Sequence, residues 1–400
     1  MAWREVKVEE QRIQFINAYL EGIFTKAELF RRFDISPPVG YKWIKRFQEE
    51  GFEGLKDKSR APLTQALATD PMLVEQILKV RFERSSWGPK KVLAHLKKHF
   101  PDLPWPSSTT IGHIYDRAGL TVGRKYRKRI AAKTVPLFNC QLNNDIWCTD
   151  FKGWFLTGDG KKCEPFTLTD SCSRYLLRCL NLSTHNTEHV WAVFESAFRE
   201  YGLPLYVRSD NGPPFGTSGV GRLSSLSVKL IKAGVTPEWI DPGKPQQNGS
   251  HERMHLTLKQ EAATPPEATL ELQQSKLKDF QHYYNEIRPH EGIGQQTPGS
   301  IYLPSNRVWN GRLMSPEYPN EYHVRKVRDW GMMSWKNHNL FIGRALIGEP
   351  LGLKENLDGT LSVYYGPIIL GVINKNIEFV YHENKTRRKT KKIDNKTIKE

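Results

Sequence analysis

Three acidic residues stand in contexts that could carry chemistry: Asp150, Asp210 and Glu252. Asp150 interrupts the aromatic, strand-like run Trp147-Cys148-Thr149-Asp150-Phe151. Asp210 ends the apolar run Leu205-Tyr206-Val207 and opens the turn Asp210-Asn211-Gly212-Pro213. Glu252 lies just past Pro242-Gly243-Lys244-Pro245-Gln246-Gln247-Asn248-Gly249, at the expected start of a helix. Phosphodiester bonds resist attack because the phosphate is already anionic. Two divalent ions about 3.5–4 Å apart overcome this, one activating the attacking oxygen and one steadying the leaving oxygen. Hard ions such as Mg²⁺ or Mn²⁺ want oxygen ligands, which three carboxylates supply. Without metal, the same carboxylates at close range repel one another. Water or a DNA 3′-hydroxyl would attack, so no protein nucleophile is required. The expected site is Asp150, Asp210 and Glu252 as catalytic and metal-holding residues, with two ions, facing double-stranded DNA.

Each acid also has a plainer reading: an edge-strand charge for Asp150, a turn former for Asp210, a helix N-terminal charge for Glu252. Their joint placement on adjacent elements of one segment favours the site. Asp145, Asp159, Asp170 and Asp241 read as turn or cap residues. A competing motif overlaps the third acid. His251-Glu252-Arg253-Met254-His255 matches H-E-x-x-H, in which two histidines one turn apart bind zinc and the glutamate is the base of a protease. That reading needs a third ligand, for which His282 or Glu286 is available, and leaves Asp150 and Asp210 unexplained. On the DNA reading, His251 and His255 flank the site and touch DNA, and Lys259, two turns beyond Glu252, contacts a phosphate.

The bulk composition agrees with a polyanionic partner. Lys and Arg outnumber Asp and Glu by 59 to 43, a net charge of +16, and such an excess favours nucleic acid or an anionic membrane. No apolar run reaches the roughly 18 residues of a membrane span, and the N-terminus lacks a signal-peptide core, so a cytoplasmic protein is expected. The five cysteines include no C-x-x-C pair, which argues against a zinc ribbon or a disulfide framework.

The elements around the acids imply a multidomain chain. Residues 1–60 read as a helix-turn-helix: Phe15, Ile16, Tyr19 and Leu20 at helical spacing, a capping box at Thr25-Lys26-Ala27-Glu28, and a helix from Ser36-Pro37 to Glu50. Its apolar side is expected to hold Val39, Trp43, Ile44 and Phe47, and its outer side to offer Tyr41, Lys42, Lys45 and Arg46 to DNA. A second helical, helix-turn-helix-like unit follows over 65–122, with a third helix capped at Ser108. A basic linker, 123–143, carries Arg124, Lys125, Arg127, Lys128 and Arg129, which could track phosphates. Residues 144–305 alternate strands and helices as an α/β layer fold. One strand is expected from Trp147 to Leu156, a helix over Thr187–Tyr201, and a mobile Gly/Ser-rich loop over Phe215–Ser227. Short strands over 320–382 suggest a small β-barrel, and the basic tail 383–400 reads as disordered.

The motifs around the acids are similar to the core of bacterial insertion-sequence transposases with an integrase-type catalytic domain. The resemblance rests on Trp147-Cys148-Thr149-Asp150, Ser209-Asp210-Asn211-Gly212-Pro213-Pro214-Phe215, and Pro242-Gly243-Lys244-Pro245-Gln246-Gln247-Asn248-Gly249-Ser250-His251-Glu252-Arg253. Tyr284-Asn285-Glu286-Ile287-Arg288-Pro289-His290, followed by Thr297-Pro298, resembles the segment after that core, and Tyr41-Lys42-Trp43 through Ser59-Arg60-Ala61-Pro62 the family's N-terminal helix-turn-helix. The resemblance implies a ribonuclease H-like core with Asp150, Asp210 and Glu252 as a DDE triad. It implies cleavage at element ends, joining to target DNA with Mg²⁺ or Mn²⁺, and homo-oligomeric assembly on DNA. Two features depart from the retroviral integrases: no cysteine precedes Cys140, so their N-terminal zinc domain is missing, and the interval from Asp210 to Glu252 is longer. A DNA-binding regulator that keeps the fold without the activity is the alternative from another class.

Overall fold

The structure is a computed structural model that describes residues 8–58, 69–121, 137–182, 184–241 and 244–381. The chain divides into two compact units, one up to Thr69 and one from Asp70 onward. The expectations for Arg124, Lys125, Arg127, Lys128, Arg129, the Ser59–Pro62 segment and the tail from 383 fall outside the described residues.

The first unit contains α1 (Val8–Leu20), α2 (Lys26–Arg32) and α3 (Pro37–Glu50). The capping box is present: the Thr25 hydroxyl accepts from the Glu28 N–H, and the Glu28 carboxylate accepts from the Thr25 N–H at 2.9 Å. Phe15, Ile16, Leu29, Phe30, Trp43, Ile44 and Leu55 form the core. The inner face of α3 differs from expectation by one position, since Val39 is exposed and Gly40 is buried. A Cβ on residue 40 would lie 2.1 Å from Cε1 of Phe30, so α2 and α3 approach where only a glycine fits.

The second unit opens with α4 (Pro71–Glu83), α5 (Pro89–His99) and α6 (Ser108–Arg117). Asp70 caps α4 by accepting from the Met72 N–H, and Ser107, one residue before the expected Ser108, caps α6. The central sheet follows: β1 (Ile146–Phe151), β2 (Phe155–Leu156), β3 (Lys162–Cys163), β4 (Pro165–Asp170), β5 (Leu176–Asn181), β6 (Tyr206–Ser209) and β7 (Thr236–Trp239). β2 and β3 make a small hairpin, and the other five strands lie in the order β5-β4-β1-β6-β7. β5, β4 and β1 are antiparallel neighbours, whereas β6 and β7 run parallel to β1. The single strand expected from Trp147 to Leu156 is broken, because the chain turns at Gly153, whose φ of 83° suits glycine.

Four helices cover this sheet: α7 (Thr187–Tyr201), α8 (Ser225–Lys232), α9 (Gly249–Glu261) and α10 (Leu270–His282). The strand period of two sorts the side chains. Trp147, Phe166, Leu168 and Val207 join Val190, Phe194 and Phe198 of α7 in one core. The opposite face takes Cys163, Leu176 and Cys179 into a second core with Met254, Leu258, Leu277 and Phe280 of α9 and α10. Trp87, Val92, Leu96, Ile111 and Ile114 belong to that same second core. Helices α4 to α6 are thus built onto the helix that carries Glu252.

The Phe215–Ser227 segment, expected to be a mobile loop, is pinned. Phe215 and Leu223 are buried, Val220–Arg222 form a 3₁₀ turn, and Ser224 and Ser227 cap α8 reciprocally. Its small residues serve these turns and caps.

The C-terminal strands are β8 (His323–Lys326), β9 (Met332–Trp335), β10 (His338–Phe341), β11 (Pro350–Glu355), β12 (Leu361–Tyr365), β13 (Ile368–Ile373) and β14 (Phe379–Tyr381). Five form an antiparallel sheet in the order β14-β13-β12-β11-β8, and β9 and β10 form a hairpin. Sheet and hairpin share one core that includes Val327, Met333, Trp335, Ile342, Leu351, Leu353, Val363 and Leu370.

Candidate active site

The parallel register of β1 and β6 aligns the first two acids. Ile146 pairs with Tyr206, Trp147 with Val207 and Cys148 with Arg208. Carried two residues further, the same register sets Asp150 level with Asp210, with side chains on the same face. Asp210 lies immediately past the end of β6, at the carboxyl edge of the sheet. The turn after it is held on both sides. The Gly212 N–H donates to Asp210 Oδ1 at 3.2 Å. The Asn211 amide donates to the Ile240 carbonyl at 2.7 Å, and Arg222 donates to Asn211 Oδ1 at 3.0 Å. A Cβ on residue 212 would stand 3.2 Å from Asp210 Oδ2, so glycine is the residue that leaves the carboxylate unobstructed. Gly249, by contrast, has no atom within 4 Å of where a Cβ would stand, so its absence of side chain is not forced by space.

Glu252 is exposed in the first turn of α9. Upstream, the Asp241 N–H donates to Gln247 Oε1 at 2.7 Å and Lys244 pairs with Asp241 at 2.8 Å, which folds the chain back before the helix. Asn248, just ahead of α9, is buried, with its Oδ1 unpartnered among the described residues.

The acids act on one another electrostatically. Burial, then the charge of Asp210, then that of Glu252, push the Asp150 carboxyl up to about 7, against the N–H of Phe151, which lowers it. Burial also raises Asp210, opposed by the Gly212 N–H and by His185. Among the described residues, no three His, Cys, Asp or Glu side chains stand close enough together to hold a metal ion. The acids feel one another without closing a ligand cage. The donor set still fits a hard divalent cation: oxygen donors only, two of them raised by burial.

The two histidines of the H-E-x-x-H motif are placed differently from both sequence readings. They are buried, so they do not face DNA. Nε2 of His251 and Nε2 of His255 both meet the Thr167 hydroxyl, at 2.9 and 2.7 Å, and His251 Nδ1 meets Thr169 Oγ1 at 2.8 Å. Burial holds His251 well below the usual imidazole range and takes His255 down to about 3, with Lys152 adding to the latter. These rings point into the sheet and are already engaged, and no third ligand stands with them among the described residues. The zinc-protease reading is therefore corrected. Thr167 and Thr169 were missed by the sequence reading. The signal was the alternation Phe166-Thr167-Leu168-Thr169 in β4, with the threonines sharing one face.

Lys259 is exposed on α9. On α3, Tyr41 is exposed, its ring centre 5.2 Å from that of Phe30 in an edge-to-face contact. Lys42 and Arg46 lie 5.1 and 5.0 Å from the centre of the Trp43 ring, and Lys45 stands 3.8 Å from Glu49. Asp145 and Asp170 act as cap acceptors: Asp145 for the N–H groups of Gln141 and Leu142, Asp170 for those of Asn144 and Ser173. All five cysteines are free, and Cys148, Cys163 and Cys179 are buried. No helix among the described residues is long and apolar enough to cross a membrane.

The family described as integrase core domain matches residues 141–245, and a second integrase core domain family matches residues 233–298. The central segment is an integrase core domain. Around this integrase core, a helix-turn-helix domain matches 11–62, a homeodomain-like domain 39–115, and an IS481 family transposase C-terminal domain 322–377. The insertion element IS476 uncharacterized 39.2 kDa protein of Xanthomonas euvesicatoria is 23% identical over 242 residues. That stretch covers 60% of this chain, and the chain spans 65% of the length of that relative. Together these matches liken the chain to insertion-element proteins, with a core similar to integrase core domains. Among solved structures, the HTLV-2 integrase catalytic core domain in complex with magnesium is 16% identical with a TM-score of 0.32, covering 40% of this chain and 97% of its own. The catalytic core domain of BIV integrase is 22% identical with a TM-score of 0.31, covering 40% and 93%.

Proposed function

We propose that this chain is a DNA transposase that cleaves at element ends and joins them to target DNA, with Asp150, Asp210 and Glu252 as the catalytic acids. The observation that carries this reading is the alignment of Asp150 with Asp210 at one sheet edge, where burial first, and then the charges of Asp210 and Glu252, raise Asp150, a strain that a cation would relieve. Mg²⁺ or Mn²⁺, bound as a pair, would supply Lewis-acid stabilisation of the attacking and leaving oxygens. Asp150 and Asp210 hold their carboxylates on the same face of two neighbouring strands. Glu252 brings a third from the first turn of α9, where the helix dipole favours negative charge. The Gly212 turn keeps the approach to Asp210 open. Tyr41, Lys42, Lys45, Arg46 and Lys259, with the basic segment Arg124, Lys125, Arg127, Lys128 and Arg129, bind DNA phosphates and bases.

The domain limits follow the sequence reading: 1–60 and 65–122 as DNA-binding helical units, 123–143 as linker, 144–305 as catalytic core and 320–382 as C-terminal domain. The C-terminal sheet and hairpin wrap their shared core as a small barrel. The chain works as a homo-oligomer on paired DNA ends in the bacterial cytoplasm.

One observation favours the second reading, a DNA-binding regulator without activity: the three acids do not close on a metal by themselves. One experiment separates the two. Protein, Mg²⁺ and element-end DNA are incubated and the strands resolved. The transposase reading expects cleavage and joining, both lost on the order of 10³-fold in Asp210→Asn with DNA binding kept. Binding without cleavage by the unaltered chain selects the regulator, and normal cleavage by Asp210→Asn removes the triad assignment.

A further inference from the structure

His251 and His255 sit one helical turn apart on the inner face of α9, their ring centres 4.7 Å apart. Between them and β1 stand the hydroxyls of Thr167 and Thr169, and Thr167 is the one that meets both rings. Thr167 pairs across the sheet with Asp150. Its Oγ1 reaches three atoms: the Asp150 carbonyl at 3.1 Å, His251 Nε2 at 2.9 Å and His255 Nε2 at 2.7 Å. Asp150 is approached from its side chain too, with Oδ2 lying 3.9 Å from His255 Nδ1. Glu252 follows His251 directly in the chain, so whatever fixes the rotation and height of α9 against β1 fixes Glu252 against Asp150.

We propose that Thr167, His251 and His255 form a buried clasp that positions Glu252 against Asp150. This inference rests on the reading of those two acids as metal holders. The hydrogen accounting shows why the clasp is selective. Thr167 has one hydroxyl proton and two lone pairs. It can donate to only one of its three neighbours, so at least one Nε2 carries hydrogen and donates to Thr167. The hydroxyl is thereby saturated, and a saturated buried network has one arrangement of its partners, not several. Removing the hydroxyl leaves two buried ring nitrogens without a partner at the same moment. A histidine pair at metal-ligand spacing is in this chain a device that orients the neighbouring glutamate.

Two variants and two readouts test the clasp in the full chain. Thr167→Val removes the hydroxyl and preserves shape; Thr167→Ser restores it. Amide hydrogen exchange in the first turns of α9 reads the clasp without metal, and Mn²⁺ binding followed by electron paramagnetic resonance reads the position of the acids. Thr167→Val is expected to speed exchange around residues 250–256 and to weaken Mn²⁺ binding ~10–100-fold, the range found when supporting partners of metal ligands are lost. Thr167→Ser is expected to stay near the unaltered chain in both. Unchanged exchange in Thr167→Val overturns the clasp. Faster exchange with unchanged Mn²⁺ affinity overturns its positioning role and leaves core packing as the whole of its effect. An unaltered chain that binds no Mn²⁺ refutes the metal reading, and exchange alone then decides whether the clasp exists. If Thr167→Val loses cooperative melting, His255→Asn takes its place. It removes the ring beside Asp150 and leaves the His251–Thr167–Thr169 contacts, and the same outcomes apply.

Discussion

On the α7 face of the central sheet, Trp147, Phe166, Leu168 and Val207 pack against Val190, Phe194 and Phe198. On the α9 face, the alternate residues of β1 and β4 are Asp150, Thr167 and Thr169, and they meet two histidines and the charge of two further acids. The same two strands supply both sets, one residue apart. A pleated strand sends successive side chains to opposite faces, so one stretch of sequence can specify a dry core and a charged site independently. The first face contributes stability through apolar area. The second carries unfavourable burial of charge and polar groups, tolerable because the first holds the strands in place.

The comparison breaks most visibly if a change on the dry face alters the site in molecules that remain folded. Phe194→Ala should cost about 3–5 kcal/mol, the usual result of truncating a fully buried phenylalanine. Guanidinium unfolding measures it, and Mn²⁺ affinity of the folded fraction should not move. A drop in that affinity would mean the two faces are not independent.

The charged face should show itself in the pH dependence. Asp150 is raised to about 7 in the folded chain, against about 3.9 when unfolded. Between those values the folded chain holds more protons at this position, so stability present below about pH 4 is lost as pH rises through about 7. In chelator, the unaltered chain should therefore melt lower near pH 8 than near pH 5, by more than Asp150→Asn does. Mn²⁺ should reduce the difference. Equal pH slopes for the two proteins would place the raised carboxyl elsewhere.

The smallest effect sharpens the contrast. Thr149 shares the dry face with Trp147 and Phe151 by strand parity, and its fully buried hydroxyl has no hydrogen-bond partner among the described residues. Thr149→Val should be neutral or stabilising by up to ~1 kcal/mol in thermal melts, because an unpaired buried hydroxyl costs desolvation without return. The matching change one residue pair away, at Thr167, should behave in the opposite way.

What was legible in the sequence followed the same division. Helix α7 was expected at Thr187–Tyr201 and is found there, because Val190, Trp191, Phe194 and Phe198 repeat at helical spacing and bury together. Asp150 and Asp210 came from motifs, and the β1–β6 register, carried two residues past the Cys148–Arg208 pair, sets them level. The histidine readings failed because a five-residue pattern fixes spacing on a helix but not the direction of the face, and here Thr167 decided that direction from another strand. The break after Phe151 and the inner position of Gly40 were missed for a related reason: one depends on the backbone dihedral at Gly153, the other on the ring of Phe30 across a helix contact.

The joining of α4 to α6 with the central sheet and α9 carries a last consequence. Trp87 donates its indole N–H to Tyr283 Oη at 2.6 Å, and Arg288 donates to the same oxygen at 3.2 Å while standing 3.7 Å from Glu261 at the end of α9. The three helices and the acid-bearing helix therefore share their stability, although the chain between them runs through residues 122–136. Loosening either partner exposes the apolar side of the other. Evolution cannot exchange this helical unit for a different one, as modular proteins exchange domains, without also rebuilding the floor beneath Glu252.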